Sequence, residues 1–263
     1  MRVTVLGKSP AWQDADGACS GYLVETDDTS MLLDCGNGVL GKLRARRDYT
    51  RVDAILITHM HADHFFDLIP YGFALTYSPR QQPVPVARWD GVEVPARPKL
   101  FLPPGGLATL QRVANTLHAK NMIEEAFRVT EYHHMDVITI GSITVQFKPV
   151  PHFVETYAVA LTSPNRRRFV FGADSRPNDD IIEFARGCDL LMLEATLPRP
   201  ERSGVRGHMT AGEAGEHAAA AAPKQLVLTH ISDELDPLWA LSEARRSYDG
   251  PTVVATEGAI YSV

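Results

Sequence analysis

The stretch Ile57-Thr58-His59-Met60-His61-Ala62-Asp63-His64 decides how this chain is read. It follows directly on Ala54-Ile55-Leu56-Ile57, a continuous apolar run of strand length, of the kind covered on both faces. His59, His61, Asp63 and His64 stand at i, i+2, i+4 and i+5. On a chain leaving a strand, i and i+2 point the same way, so His59 and His61 can meet at one metal ion. The turn into the next helix brings Asp63 and His64 back toward a second. Imidazole and carboxylate donors suit zinc and related first-row metals. A lone histidine is usually structural, but four such groups in six positions are hard to explain that way.

Working outward, the same pattern recurs in the second half. His152 follows the strand expected at Ile143–Pro149, Asp174 the strand Arg168–Phe171, and His230 the run Leu226-Val227-Leu228-Thr229. Each lies just past a buried strand, where one end of a sheet gathers its loops. The chain opens on strands at Val3–Leu6, Tyr22–Thr26 and Met31–Asp34, with a helix near Gly38–Arg46. Further strands are expected at Lys99–Leu102, Phe127–Glu131, Val137–Ile140, Tyr157–Thr162 and Leu190–Leu193, with Thr252–Val254 as the last. Helices are expected at Gly105–His118, Asn178–Arg186, Thr210–Ala222 and Asp236–Tyr248. Strands interleaved with helices in both halves predict an α/β fold of two packed sheets with helices outside. Neither a linker nor a repeat divides residues 1–263, so a single domain is expected. From Tyr77 to Pro98 five prolines deny both helix and central strand. That segment reads as a flap, either a surface excursion or a lid over the site.

Composition bounds the function. With 44% hydrophobic and 22% charged residues in 263, the chain is neither disordered nor fibrous. Its formal charge is -6, from 26 basic and 32 acidic residues, which argues against broad binding of polyanions. Three cysteines (Cys19, Cys35, Cys188) are too few and scattered for a disulfide framework. No signal-peptide pattern and no apolar run of about 20 residues is present, so a cytoplasmic protein with no membrane contact is expected.

The run His59-x-His61-x-Asp63-His64, followed in order by His152, Asp174 and His230, resembles the metallo-β-lactamase superfamily. The resemblance implies a four-layer αββα sandwich. It implies one divalent metal ion on His59, His61 and His152, a second on Asp63, His64 and His230, and Asp174 bridging both. Zinc is the first expectation and manganese the alternative. Asp34-Cys35-Gly36, Asp174-Ser175-Arg176-Pro177, Glu194-Ala195-Thr196, His208-Met209-Thr210 and Leu228-Thr229-His230-Ile231-Ser232 are similar to segments of ribonuclease Z. The spacing after Glu194 also resembles a compact actinobacterial group of cyclic-nucleotide phosphodiesterases in that branch, where homodimers are common.

Two departures concern RNA. The loop Gly7–Trp12 lacks the basic Arg-Asn element of tRNA-processing members, and Asp233-Glu234 stands where those members carry Arg-Tyr. Neither is there a Gly-Pro-rich arm to grip tRNA. A small phosphodiester, such as a 3′,5′-cyclic nucleotide, is therefore the expected substrate. Its alkoxide leaving group needs an acid. His208 is the candidate, with Glu194 behind it to fix the tautomer and raise its pKa. Asp63 would also orient the attacking water, and Ser175 would donate to a phosphate oxygen. His118, His133, His134 and His217 read as structural or surface residues. The competing readings are tRNA 3′ processing, acyl (thioester or lactone) hydrolysis, and metal or nucleotide binding without turnover.

Overall fold

A computed structural model describes residues 1–201 and 203–263. In chain order, β1 (Arg2–Gly7), β2 (Gly21–Glu25) and β3 (Ser30–Leu33) lead into α1 (Val39–Arg46). β4 (Ala54–Leu56) leads into the short α2 (Ala62–Phe65) and α3 (Leu68–Tyr77). β5 (Lys99–Leu102), α4 (Gly106–Thr116), α5 (Met122–Ala126) and β6 (Arg128–Glu131) follow. The second half runs β7 (Val137–Ile140), β8 (Ile143–Val150), β9 (Thr156–Thr162), β10 (Arg168–Phe171), α6 (Asp179–Ala185) and β11 (Leu190–Glu194). It ends with α7 (Ala211–Ala221), β12 (Leu226–Thr229), α8 (Pro237–Ala244), β13 (Thr252–Val254) and β14 (Ile260–Ser262).

The strands form two seven-stranded sheets, β14-β1-β2-β3-β4-β5-β6 and β13-β12-β11-β10-β9-β8-β7. Each begins as an antiparallel meander and continues as parallel strands, β3 to β6 in one and β10 to β13 in the other. Period-two alternation sorts the side chains into layers. Val5, Met31, Leu33, Leu56 and Phe101 of the first sheet meet Val145, Val159, Phe169 and Met192 of the second. The intervening Leu6, Leu32, Ile55 and Leu100 face α1, α3, α4 and α5. On the far side, Ala158, Val170, Leu191 and Leu228 face α6, α7 and α8. Three apolar cores thus separate four layers, as expected of an αββα sandwich.

The run at residues 54–57 is covered on both faces: Ala54 and Leu56 lie between the sheets, Ile55 and Ile57 under the helices. Thr252–Val254 is not the last strand. β14 follows and pairs antiparallel with β1, Val3 opposite Tyr261. Its three residues are half-buried or exposed, too short and open to leave an apolar signature.

The Pro-rich segment holds a single 3-10 turn, Pro79–Gln81, and one short bridge, Val86 to Trp89, and is otherwise loop. Arg80 at its base pairs with Asp48 and stacks on the Trp89 ring at 4.1 Å. Buried Gln81 ties it to Leu75 and Ala96 through three hydrogen bonds. Asp48 and Pro98 precede β4 and β5, whereas the His-rich loop leaves the other end of β4. The base of the flap therefore lies at the end of the sheet opposite the histidines. No helix among the described residues is long and apolar enough to cross a membrane. Cys19, Cys35 and Cys188 are buried and free.

Candidate metal centre

The C-terminal ends of strands deliver the site. β3, β4, β8, β10, β11 and β12 all end toward it, and the residues just past each end carry its polar groups. Their backbones turn sharply. Asp34, Ala173 and His230 hold φ values of 58°, 52° and 47°, uncommon for residues with a Cβ. Such conformations collect at functional sites, where surrounding structure over-determines them. After β4 the chain is pinned by Ile57 N–H donating to Phe101 O (3.0 Å) and by Tyr132 Oη donating to Ile57 O (2.8 Å). The segment Asp34–Gly36 then supports α2: Cys35 N–H donates to His64 O at 2.7 Å. A Cβ on Gly36 would run into the carbonyl oxygen of Asp63, so glycine is required there.

The seven residues read from the sequence as metal ligands come together in two groups. His59, His61, His152 and Asp174 form one, and Asp63, His64, His230 and Asp174 the other. Within each group the donor atoms all lie within 4.8 Å of one another. Asp174 Oδ2 is 3.8 Å from His59 Nε2, 3.9 Å from His152 Nε2, and 3.3 Å from both His64 Nε2 and His230 Nε2. Asp63 Oδ2 is 3.1 Å from His230 Nε2.

Four imidazoles are held by the protein through Nδ1. His59 meets Thr58 Oγ1 (3.1 Å), His64 meets Asp34 Oδ2 (2.8 Å), and His152 meets Gly207 O (2.8 Å). His230 meets Thr196 Oγ1 at 2.7 Å. Each therefore presents Nε2 to the centre. His61 is the exception and offers Nδ1, 3.0 Å from His152 Nε2.

Buried polar atoms are nearly always hydrogen-bonded. Here His59 Nε2, His64 Nε2 and Asp174 Oδ1 are buried without a hydrogen-bond partner. An unmet buried polar atom costs roughly 1–3 kcal/mol, so three of them on residues of the two clusters call for a partner. A donor set of imidazoles and carboxylates identifies that partner as divalent cations.

The titration behaviour agrees. Burial holds His59 well below the ordinary imidazole value, lowers His61, and brings His152 down to about 4. All three are thus neutral and ready to bind metal. His64 goes the other way: burial opposes its charge, but Asp174, Asp63 and Asp34 together hold it well above the ordinary value. Asp174, although burial disfavours its charge, is kept well below the usual carboxylate range by His230 and His64.

A third group, Glu194, His208 and His230, adjoins the second cluster. Glu194 is 1% exposed, and four residues donate to its carboxylate. Ser175 N–H reaches Oε1 at 2.7 Å. Thr196 Oγ1, His208 Nδ1 and Met209 N–H reach Oε2 at 2.6, 3.0 and 3.2 Å. Burial would lower the pKa of His208, but the hydrogen bond and charge of Glu194 push it up to about 9.

Ser175 is fully buried, its hydroxyl 3.5 Å from Asn178 Nδ2 and its backbone N–H on Glu194. His217 is a buried structural residue, with Nδ1 on Glu213 O (2.7 Å) and Nε2 accepting from Asn178 N–H (3.0 Å).

Sequence reasoning gave no role to Asp34 or Thr196. Asp34 is fully buried and accepts from Thr58 N–H (2.8 Å) and Thr58 Oγ1 (2.9 Å) besides holding His64. Both residues sat in the quoted tripeptides Asp34-Cys35-Gly36 and Glu194-Ala195-Thr196. That was the one signal available.

Comparison with known proteins places this geometry. The family described as Anti-Pycsar protein Apyc1 matches residues 1–238. The probable metallo-hydrolase YhfI of Bacillus subtilis is 29% identical over 266 residues, covering 99% of each chain. A crystal structure of that metallo-beta-lactamase fold protein superposes with a TM-score of 0.84 at 26% identity, covering 99% of this chain and 98% of that one. Ribonuclease Z of Myxococcus xanthus is 26% identical over 314 residues, covering 98% of this chain and 96% of its own. The chain belongs to the Anti-Pycsar protein Apyc1 family and is a metallo-hydrolase on the metallo-β-lactamase fold.

Proposed function

We propose that the protein is a metal-dependent phosphodiesterase acting on a small phosphodiester such as a 3′,5′-cyclic nucleotide. The observation that carries this is the Glu194–His208 pair beside the two clusters. In this reading His59, His61 and His152 hold one divalent ion, Asp63, His64 and His230 the other, and Asp174 both, with zinc the first choice. Bound divalent ions neutralise charge on phosphoryl oxygens and lower the pKa of coordinated water.

The protein supplies the rest. An alkoxide leaves a phosphorus centre poorly unless it is protonated as it departs. His208, held through Nδ1, keeps Nε2–H as the free donor, and Glu194 keeps that ring charged at neutral pH. Asp63, with Oδ2 3.1 Å from His230 and 3.4 Å from His64, is held ionised, against the opposing effect of burial, well below the usual carboxylate range by those imidazoles, so its role beyond holding metal is to accept a hydrogen bond from the attacking water and orient it. Acyl transfer to water, with a thiolate leaving, needs no such acid. The formal charge of -6 favours a single phosphodiester over a long polyanion.

The test is a substrate panel with purified, zinc- or manganese-loaded protein: 3′,5′-cyclic nucleotides, bis-p-nitrophenyl phosphate, a tRNA precursor and a thioester. Turnover of the cyclic nucleotides and the chromogenic diester is expected. Turnover of the thioester alone, or of the tRNA precursor alone, would defeat the proposal.

A further inference from the structure

We propose that Thr196 is a positioning residue that couples Glu194 to His230, fixing the tautomer in which His230 offers Nε2 to a divalent cation. The inference rests on His230 acting as a ligand, not on which bond the protein cleaves.

A threonine hydroxyl has one proton to give and two lone pairs to receive with. Thr196 Oγ1 lies 2.6 Å from Glu194 Oε2, 2.7 Å from His230 Nδ1 and 2.9 Å from His230 O. The carboxylate is the strongest of these acceptors, and 2.6 Å is the length of a charge-assisted O–H···O⁻ bond. With its proton committed to Glu194, Oγ1 can only accept from the His230 ring. Nδ1 must then carry the hydrogen, which leaves Nε2, 3.1 Å from Asp63 Oδ2 and 3.3 Å from Asp174 Oδ2, as the ring atom that a bound cation would take. The neighbouring His64 reaches the same arrangement directly, by donating Nδ1–H to Asp34. At His230 no carboxylate is bonded to Nδ1, and the hydroxyl relays the effect of one. Glu194 thus sets two rings at once, His208 through one direct bond and His230 through Thr196.

The experiment compares Thr196→Val, which keeps shape and loses the hydroxyl, with Thr196→Ser, which restores it. Zinc affinity is read by competition with a chromophoric chelator. Loss of a group that orients a ligand costs about 10–100-fold in metal affinity, and that loss is expected for the valine variant. The serine variant should return to the wild-type value. In parallel, wild-type protein with 15N-labelled histidine is loaded with zinc, and the His230 resonances are assigned by their loss in His230→Gln. A protonated Nδ1 is expected. A protonated Nε2, or wild-type zinc affinity in Thr196→Val, would overturn the proposal. The spectrum decides even if the valine variant does not fold. Neither readout depends on phosphodiesterase activity, so a protein with this relay and a different substrate would still show both.

Discussion

The two clusters that share Asp174 are built differently. His59, His61 and His152 are neutral imidazoles, the latter two partly open to the surface. Asp63, His64 and His230 are buried, and three carboxylates (Asp34, Asp63, Asp174) surround His64 and hold a proton on it. The first cluster is the more open cup, and its three imidazoles are uncharged. The second is a closed, anionic one that already carries a positive charge. On the proposed reading of both clusters as metal sites, the difference means that binding at the second must displace a proton from His64, whereas binding at the first need displace none.

The largest way to break this comparison is to remove what the clusters share. Asp174→Ala should weaken metal binding at both and cut turnover roughly a thousandfold or more, the scale of several kcal/mol of metal-derived stabilisation. Turnover of the loaded variant and metal analysis check it. A loss confined to one equivalent of metal would mean Asp174 is not shared.

Next in size is the acid adjoining the second cluster. His208→Ala should lower the rate on substrates with an alkoxide leaving group by about 10²–10⁴-fold, and far less on bis-p-nitrophenyl phosphate, whose phenolate leaves unaided. Equal losses on both would remove His208 as the proton donor.

Smaller still, Asp34→Asn should weaken metal binding by roughly 10–100-fold at the second cluster, where it bonds His64 directly, and by less at the first, which it reaches only through Thr58 and His59. Calorimetric titration with zinc should show one phase weakened more than the other.

The subtlest prediction concerns stability of the metal-free protein. His152 has a folded value of about 4 against an ordinary 6.5, so its contribution is intact above pH 6.5 and lost as pH falls toward 4. His64 and His208 are raised, so their contributions are intact below 6.5 and lost as pH rises through their folded values, about 9 for His208. Tm measured in chelator should therefore fall on both sides of roughly pH 6.5. A monotonic profile would contradict the contrast between the clusters.

What the sequence made legible and what it hid follow from locality. His59 to His64 are adjacent in the chain, and His152, Asp174 and His230 each follow a recognisable apolar run. The fold was legible for the same reason, since its strands are buried and alternate between layers. Asp34 was hidden because its partner is thirty positions away: only the parallel pairing of β3 with β4, Leu33 beside Leu56, sets it against Thr58 and His64. Thr196 depends likewise on β11 and β12 lying side by side, Glu194 opposite Thr229.

The most direct test of the account is the rate of 3′,5′-cyclic nucleotide hydrolysis by metal-free protein as zinc or manganese is added. No turnover is expected without metal, and the rate should climb until two equivalents are bound per chain and then level off. Undiminished turnover in chelator, or a fully loaded protein that leaves the cyclic phosphodiester intact, would contradict it.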